Sequence, residues 1–310
     1  MKKKLTFFSF GEDTFLQDLI IGLRPKYNTK MFYRSSEQEF FQMYHDCDIA
    51  WFEWCDQLII NAMQHPKMGQ KVICRFHSYE LFTDMPKHVD WNKVDRVIFV
   101  SEVVRDLAVS KFGIPPHKTI IINNGVNTDK YQIPADKQYN KKVAFVGLIN
   151  YKKGIETLMH TFEQLYLYDD KLEFHIAGQH QDERIALYMD WAAYNMPYKI
   201  HFDGWVNDIS EYLKDKDYII STSLFESFQY SIAEGMSQGL VPLVYNWRGS
   251  ELIYPKDYIF NTIKECVDIV KDFEVIEDKS AVRQKLRNHI VDNFSLEKQL
   301  DKTIQLLESL

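Results

Sequence analysis

The chain has 310 residues, of which 45% are hydrophobic and 15% aromatic, enough apolar material for two packed domains and too much for a disordered chain. Its formal net charge of −7 argues against a general nucleic-acid-binding surface. No apolar run is long enough for a signal peptide or a membrane span. We therefore expect a cytoplasmic protein that is either free or in peripheral contact with the inner face of a membrane.

Short apolar runs alternate with segments of helical period in the first half of the chain. They predict strands at residues 4–9, 30–33, 48–52, 71–76, 96–101 and 119–123, with helices at 14–23, 36–44 and 103–112. Strands separated by helices form parallel sheets with right-handed crossovers. We therefore predict an N-terminal Rossmann-like domain over residues 1–138.

A polar stretch at residues 134–140 predicts a linker, after which the alternation begins again. The second set of strands is predicted at 142–146, 172–177, 199–202, 218–221 and 241–245, with helices at 155–167, 181–194 and 232–238. A last helical pattern runs from about 282 to 310 and is interrupted at 293–295. These features predict a second Rossmann-like domain over 139–294 and a C-terminal helix over 295–310 that packs on the first domain.

Four cysteines lie far apart in the sequence. They form neither a CxxC pair nor a cluster with histidine: Cys47, Cys55, Cys74 and Cys266. This spacing predicts buried free thiols in a reducing compartment.

Two glutamates eight positions apart follow the strand at 218–221. Glu226 lies on the predicted loop, and Glu234 lies in the first turn of a helix that is predicted to begin near Ser231. Ligands of open α/β sheets bind at the carboxyl ends of the strands, and a helix N-terminus suits a phosphate. Carboxylates would repel the phosphate and are better placed to hold sugar hydroxyls, so the segment predicts a nucleotide-sugar pocket. Alternatively, Ser231 and Glu234 form a helix capping box.

Six short elements occur in a fixed order over about residues 120–260. They are Asn124-Gly125-Val126-Asn127, Val146-Gly147 with Lys153-Gly154, Ile176-Ala177-Gly178, Phe202-Asp203-Gly204-Trp205, the Glu226/Glu234 segment, and Gly249-Ser250-Glu251-Leu252-Ile253. In this order they resemble the retaining glycosyltransferases of family 4. The resemblance implies the GT-B fold, in which two Rossmann-like, doubly wound domains face each other across a cleft.

The resemblance implies a set of donor-binding residues: Gly11, Gly147, Lys153, Gly178, Phe228, Gln229, Tyr230 and Glu234. Lys153 would contact the donor diphosphate, Glu234 the ribose hydroxyls, and Glu226 the hydroxyls of the transferred sugar. The chain departs from the family pattern twice, with Leu148 where an arginine is usual and Gln229 where a glycine is usual. Arg248 is a candidate to replace the missing cation.

Three further residues of the first half are candidates. His77 ends the strand at 71–76, where the resemblance implies a histidine that holds a donor-sugar hydroxyl; it is otherwise a structural residue. With Lys153 and Glu226, it completes the predicted catalytic set. Glu53 and Trp54 could form the wall of an acceptor site, although core packing with a helix N-cap at Asp56 explains the same residues.

Neither a metal nor a cofactor is predicted. Asp46-Cys47-Asp48 and Asp215-Lys216-Asp217 resemble a metal-binding DxD, but both precede a strand and are interpreted as surface turns. The absence of GxGxxG after the first strand and of a P-loop argues against a dehydrogenase or a P-loop enzyme.

The sequence thus predicts a metal-independent retaining glycosyltransferase of the hexosyltransferase type. It would move a sugar from a nucleoside-diphosphate sugar to a hydroxyl of a glycan, lipid-linked or protein acceptor, in the synthesis of surface glycans or glycoconjugates. Two alternatives remain: a nucleotide-sugar epimerase, and a non-catalytic nucleotide-sugar-binding subunit, which Leu148 and Gln229 suggest.

Overall fold

The computed structural model describes residues 2–11, 14–33 and 36–310. The chain divides into two compact units. The first comprises the described residues up to Gly125 together with Leu296–Leu310, and the second comprises Val126–Ser295.

A six-stranded parallel sheet forms the centre of the first unit. Its strands are β1 (Lys4–Phe8), β2 (Asn28–Phe32), β3 (Ile49–Phe52), β4 (Lys71–Phe76), β5 (Arg96–Phe99) and β6 (Thr119–Ile121), in the order β2-β1-β3-β4-β5-β6. The helices are α1 (Thr14–Leu23), α2 (Glu37–His45), α3 (Gln57–Met63), α4 (Glu102–Phe112) and, from the end of the chain, α11 (Leu296–Glu308). The central strands are continuous apolar runs because helices cover both faces of a parallel sheet.

The last helix of the chain completes the core of the first unit. Leu306 and Leu307 of α11 are buried with Leu16 and Leu19 of α1. Gly22 permits this packing, because a Cβ atom at that position would lie 2.5 Å from a methyl carbon of Leu300. The predicted return of the C-terminal helix to the first domain is therefore confirmed.

A second six-stranded parallel sheet forms the centre of the other unit, in the order β12-β11-β10-β7-β8-β9. Its strands are β7 (Lys142–Val146), β8 (Glu173–Ala177), β9 (Ile200–Gly204), β10 (Tyr218–Ser221), β11 (Val241–Tyr245) and β12 (Ile259–Phe260). Its helices are α5 (Ile155–Tyr168), α6 (Glu183–Asn195), α7 (Ile209–Leu213), α8 (Tyr230–Ser237), α9 (Ile263–Glu274) and α10 (Lys279–Phe294). The predicted fold class, with two Rossmann-like doubly wound domains, is confirmed.

The boundary between the units precedes the predicted linker. Residues 126–138 belong to the second unit because side chains of that unit hold their backbone. Arg287 NH2 donates to Thr128 O at 2.9 Å, and Ser237 Oγ donates to Tyr131 O at 2.7 Å. Arg283 NH1 also donates to Lys137 O at 3.2 Å. The segment is therefore fixed to the second sheet rather than free.

Asp217 corrects one interpretation of the sequence, since it does not lie in a surface turn. Its side chain is fully buried and pairs with Arg283 NH2 at 2.8 Å. It also accepts the Asn140 backbone N–H at 2.7 Å. Asp46 does lie at the surface, where it pairs with Lys4 and Lys30.

The four cysteines are buried and free, as predicted. Within the described residues, no helix combines the length and the apolar character that crossing a membrane requires.

Candidate functional site

Two loops of the second unit are tied together where β7 and β10, which are neighbouring strands, end. The loop after β7 makes a short turn at Tyr151–Lys153 that ends at Gly154. From the loop after β10, Thr222 Oγ1 donates to Lys153 O at 2.8 Å and Leu224 N donates to Lys152 O at 2.9 Å. The carboxyl ends of the two strands thus support one rigid surface, at the edge of a parallel sheet where ligands bind.

This surface carries a compact charge cluster. Glu226 accepts from Lys153 Nζ at 2.7 Å through one carboxylate oxygen and from Lys152 Nζ at 2.9 Å through the other. The carboxylate is buried, while the Lys152 side chain is 41% exposed. Burial alone would raise the pKa of Glu226, but the charges of Lys153 and Lys152 lower it below its usual value. The cluster therefore carries a net positive charge.

Glycines bring three backbone segments close together beside the cluster. Gly154 has φ +63°, and a Cβ atom there would overlap with the Thr222 carbonyl oxygen. A Cβ atom on Gly178 would likewise overlap with the carbonyl oxygen of Gly147. The Lys153 ammonium nitrogen lies 3.9 Å from the position that a Cβ atom on Gly147 would take. Sequence reasoning assigned Gly147, Gly178 and Lys153 to one site, and the structure brings them together.

Helix α8 begins at the same edge of the sheet. Its N-cap is Gln229, whose side chain does not cap the helix. The alternative of a capping box at Ser231 and Glu234 is therefore wrong, because the N-cap lies two residues before Ser231 and Glu234 lies in the second turn of the helix. Within the described part of the chain, the buried Gln229 side chain finds no hydrogen-bond partner for either its amide nitrogen or its amide oxygen.

Glu234 lies on α8 and is half-buried. Burial raises its pKa to about 7, and a hydrogen bond from the Tyr131 side chain together with the nearby charge of Lys130 opposes the rise. A carboxyl group with this pKa changes between its neutral and its ionised form near neutral pH. Its ionised form can accept two hydrogen bonds from a vicinal diol.

The two aromatic candidates flank the start of α8. Phe228 is buried and lies 5.3 Å from the Tyr230 ring and 5.8 Å from the Phe294 ring, measured between centroids. Tyr254 fixes the backbone between them, since its hydroxyl donates to Gln229 O at 3.1 Å. Phe228 therefore supports the segment from within the core, and Tyr230 is half-buried.

His77 belongs to a buried ionic network of the first unit. Its Nε2 lies 2.8 Å from Glu53 Oε1, which also accepts from Arg75 NH1 at 3.1 Å. The second Glu53 oxygen accepts from Trp51 Nε1 at 2.9 Å. Because a carboxylate oxygen only accepts, Nε2 carries the hydrogen of the His77 ring. The ring also lies against Trp54, with 4.2 Å between centroids.

The network changes the interpretation of Glu53. The side chain is fully buried, and three neighbouring side chains occupy its oxygens. Glu53 therefore positions His77 and does not form the wall of an acceptor site. Asp56 caps α3 by accepting from Leu58 N at 2.9 Å, as the alternative of core packing with a helix N-cap predicted. Trp54 is half-buried.

The remaining candidates are exposed. Gly11 of the first unit follows β1, and among the described residues no atom lies within 4 Å of the position of its added Cβ atom. In the second unit, Leu148 is 39% exposed at the loop after β7, and Arg248 is exposed on the loop after β11.

Sequence reasoning missed two residues of the site, Lys152 and Tyr131. Lys152 was not among the predicted site residues, yet it is the second partner of Glu226. Tyr131 follows the Asn124–Asn127 element and contacts Glu234 across more than 100 positions. The pair of adjacent lysines before Gly154 was a signal that could have indicated Lys152. No local sequence pattern indicates Tyr131.

Two family models match the chain. The model "Glycosyltransferase Family 4" matches residues 30–130, and the model "Glycosyl transferases group 1" matches residues 140–270. The chain belongs to the family 4-like glycosyltransferases of the GT-B fold. The donor residues predicted in the second unit lie within the second match, and His77, Glu53 and Trp54 lie within the first.

The sequence of this chain is similar to those of curated glycosyltransferases, at low identity. The chain is 24% identical over 228 residues to the Escherichia coli UDP-Gal:alpha-D-GlcNAc-diphosphoundecaprenol alpha-1,3-galactosyltransferase, with 67% of this chain and 58% of the relative covered. It is 23% identical over 227 residues to one component of the Arabidopsis thaliana phosphatidylinositol N-acetylglucosaminyltransferase, with 69% and 50% covered. The chain thus spans 58% and 50% of the length of these two relatives.

Solved structures share the fold along the whole chain. Anabaena Alr3699/HepE, solved in complex with UDP, has a TM-score of 0.85 at 14% identity, and the match covers 100% of each chain. A glycosyltransferase from Rickettsia africae has a TM-score of 0.78 at 15% identity, with 99% of this chain and 98% of that chain covered.

Proposed function

We propose that this chain is a retaining, metal-independent glycosyltransferase that moves a sugar from a nucleoside-diphosphate sugar to an acceptor hydroxyl. The observation that carries the proposal is the charge cluster of Lys152, Lys153 and Glu226 beside the glycine turns at Gly147 and Gly178. This combination offers cations to a diphosphate and a carboxylate to a sugar, at the edge of the sheet where ligands bind.

The lysines would stabilise the charge of the departing nucleoside diphosphate. Fixed cations aimed at a developing charge lower the barrier because the protein need not reorganise during the reaction. Glu226 keeps the two ammonium groups fixed, and the backbone bonds to Lys152 O and Lys153 O fix the turn that carries them. In this arrangement Lys153 contacts the diphosphate, and no metal ion is required for its charge.

Glu234 would bind the ribose. Its ionised carboxylate accepts both hydroxyls of the diol, and its half-buried position makes that pair of hydrogen bonds stronger than in water. The amide of Gln229, unpartnered among the described residues, lies at the start of the same helix and can serve the donor as well.

Retention would follow from attack on the same face of the sugar, with a donor phosphate oxygen accepting the proton of the acceptor hydroxyl. Glu226 is a poor candidate for a covalent nucleophile because two lysines hold its oxygens and lower its pKa. Its proposed role is to orient the hydroxyls of the transferred sugar. His77, which Glu53 positions, is proposed to hold another sugar hydroxyl.

Uracil is the base that the relatives favour. The Escherichia coli relative is named for UDP-Gal, and the Anabaena structure contains UDP. We extend this preference to the present chain as part of the proposal. The name of the Escherichia coli relative includes a diphosphoundecaprenol acceptor, so a lipid-linked glycan is the first acceptor class to test, in the context of glycoconjugate synthesis.

A two-stage experiment tests the proposal. Thermal unfolding is first measured with UDP, GDP, ADP and their sugars, since a ligand at 100 times its Kd stabilises the folded state by about 2.7 kcal/mol. Release of nucleoside diphosphate is then measured with each stabilising donor and a panel of acceptors. The proposal predicts stabilisation by UDP and its sugars, followed by transfer with retained anomeric configuration.

Three other outcomes would contradict it. Binding without turnover across the acceptor panel would indicate a non-catalytic nucleotide-sugar-binding protein. Formation of a new sugar epimer from donor alone would indicate an epimerase. Loss of transfer after chelation in protein that remains folded, with recovery on addition of a divalent cation, would contradict metal independence.

A further inference from the structure

A second group of polar side chains lies on one face of the sheet, at its β8–β9 edge. Glu173 and His175 project from the same face of β8, because they are two positions apart on one strand. His201 of β9 is the register partner of His175, and Asp203 follows it by two positions. The group is distinct from the proposed donor residues. Glu173 is the first residue of β8 and His175 the third, whereas the donor residue Gly178 follows the last.

One ring nitrogen of His175 is already committed. Nδ1 lies 3.2 Å from Asp203 Oδ2, which also accepts from the Tyr212 hydroxyl at 2.7 Å. Because the carboxylate only accepts, Nδ1 carries the hydrogen and Nε2 presents a lone pair. This arrangement of carboxylate and histidine is the one that orients metal-binding imidazoles in proteins.

The other nitrogen of His175 has no hydrogen-bond partner among the described residues. The side chain is about nine-tenths buried, and Nε2 is fully shielded from solvent. A charged atom, Glu173 Oε2, lies 3.7 Å from it. A lone pair that faces a carboxylate oxygen repels it unless a cation lies between them, so this pair of atoms points to a cation site.

His201 supplies a third ligand. Its ring stacks on that of His175, with 4.5 Å between centroids and 10° between planes. One potential ligand atom from each of Glu173, His175 and His201 lies within 4.8 Å of the others. Ligand atoms bound to one tetrahedral Zn²⁺ lie about 3.4 Å apart. Rotation of the exposed Glu173 and half-buried His201 side chains can close the difference.

Nearby lysines do not occupy the site. Lys142 Nζ is 3.8 Å from Glu173 Oε2 but has a closer partner in Asp215, at 2.9 Å. Lys216 also pairs with Asp215 and lies over the Tyr212 ring. Glu173 thus remains available to a cation.

We propose that Glu173, His175 and His201 bind one divalent transition-metal ion of the Zn²⁺ type. Two imidazoles and one carboxylate form a ligand set that suits Zn²⁺ and leaves one position for water. The ion would join β8 to the edge strand β9, and it would act on the stability of the second unit rather than on sugar transfer.

The test is calorimetric titration of Zn²⁺ into chelator-treated, dialysed full-length protein, with thermal unfolding as a second measurement. Wild type is expected to bind one Zn²⁺ per chain and to unfold at a higher temperature with Zn²⁺ present. Glu173→Gln, an isosteric change at an exposed side chain, and His201→Ala are each expected to weaken binding at least about tenfold. Asp203→Ala, which removes the partner that positions His175, is expected to weaken it about 10- to 100-fold.

His160→Ala is the matched control, because His160 is an exposed histidine on α5 beside Glu163 and outside the cluster. It should bind Zn²⁺ as wild type does. Equal affinity in wild type, Glu173→Gln and His201→Ala would overturn the proposal, as would the absence of Zn²⁺ binding by wild type.

Discussion

The carbonyl oxygen of Thr222 occupies the space that a Cβ atom on Gly154 would need. The Thr222 hydroxyl meanwhile donates to the carbonyl oxygen of Lys153, the preceding residue. The loop after β10 therefore fixes both the conformation and the position of the turn that carries Lys152 and Lys153. The charge cluster depends on this contact as much as on its own ion pairs.

Replacing Gly154 by alanine is expected to displace this turn. Its φ of +63° costs a residue with a side chain about 1–2 kcal/mol, and the overlap with Thr222 adds to that cost. We expect a lower unfolding temperature and a loss of donor turnover. Gly204→Ala is the control, because Gly204 has φ +65° and no described atom lies within 4 Å of its added Cβ atom. Equal effects of the two substitutions would contradict the role of the overlap.

Lys153→Ala is expected to reduce donor turnover about 10²–10³-fold, the range measured when one fixed stabilising group is removed from an active site. The loss should appear mainly in kcat, because the charge on the leaving group develops in the transition state. Lys264→Ala, at an exposed lysine on α9, should leave turnover unchanged. Undiminished turnover in Lys153→Ala would remove this lysine from the site.

The pKa of Glu234 predicts a pH dependence of donor affinity. Since burial raises this pKa to about 7, the ionised fraction grows from about a tenth at pH 6 to about nine tenths at pH 8. Affinity for a UDP-sugar, whose diphosphate does not titrate in this range, should rise about tenfold over the same interval. Calorimetry at several pH values measures it, and Glu234→Gln should bind weakly with no such rise.

The same shift affects stability in the opposite direction. The folded state binds the Glu234 proton more tightly than the unfolded state does. The resulting contribution to the free energy of unfolding is complete below pH 4.5, the ordinary pKa that the carboxyl group has in the unfolded chain. It is lost as the pH rises through about 7, the pKa of Glu234 in the folded state. Urea unfolding at several pH values measures it. Glu211→Gln, at an exposed glutamate paired with Lys214, should keep both pH dependences of the wild type.

Leu148→Arg is expected to strengthen donor binding. Leu148 is exposed on the loop after β7, next to Gly147, where family members usually carry an arginine. A new cation there should raise the affinity for a nucleoside diphosphate about 3- to 10-fold at low salt, and the gain should shrink as ionic strength rises. Leu187→Arg on α6, an equivalent change at an exposed leucine, should have no effect. A gain in both variants would indicate a nonspecific charge effect.

Arg283→Met is expected to lower the free energy of unfolding by about 3–5 kcal/mol, because it leaves the fully buried Asp217 without its charged partner. The surface pair of Arg184 and Asp182 gives the control, since Arg184→Met should cost no more than about 1 kcal/mol. Urea unfolding measures both. Recovery of stability in the double variant Asp217→Asn with Arg283→Met would assign the loss to the unpaired charge.

Most strands could be predicted because a parallel strand covered on both faces is a short apolar run. The helix α9 was missed although Thr262 and Glu265 form a capping box at its start. The start of α8 was placed one to two residues late because Ser231 and Glu234 have the sequence pattern of such a box without its contacts. Local patterns thus located the elements more reliably than their ends.

The site was predictable only where its residues follow strands. Lys153, Gly147 and Gly178 each stand at the carboxyl end of a strand or in the turn behind it, so topology brings them together. The partners Lys152–Glu226, Tyr131–Glu234 and Arg75–Glu53 are joined by side-chain directions and by distances in sequence that no periodicity encodes. For that reason the sequence left Glu53 open between an acceptor wall and core packing, and it did not indicate that Glu53 supports His77.

The return of α11 to the first unit has a consequence for synthesis on the ribosome. The core around Leu16 and Leu19 lacks Leu306 and Leu307 until α11 has left the exit tunnel. The second unit is continuous from Val126 to Ser295, so all of its strands and helices emerge before α11 does. We therefore expect the second unit to reach its folded state before the first unit, although most of the first unit is synthesised earlier.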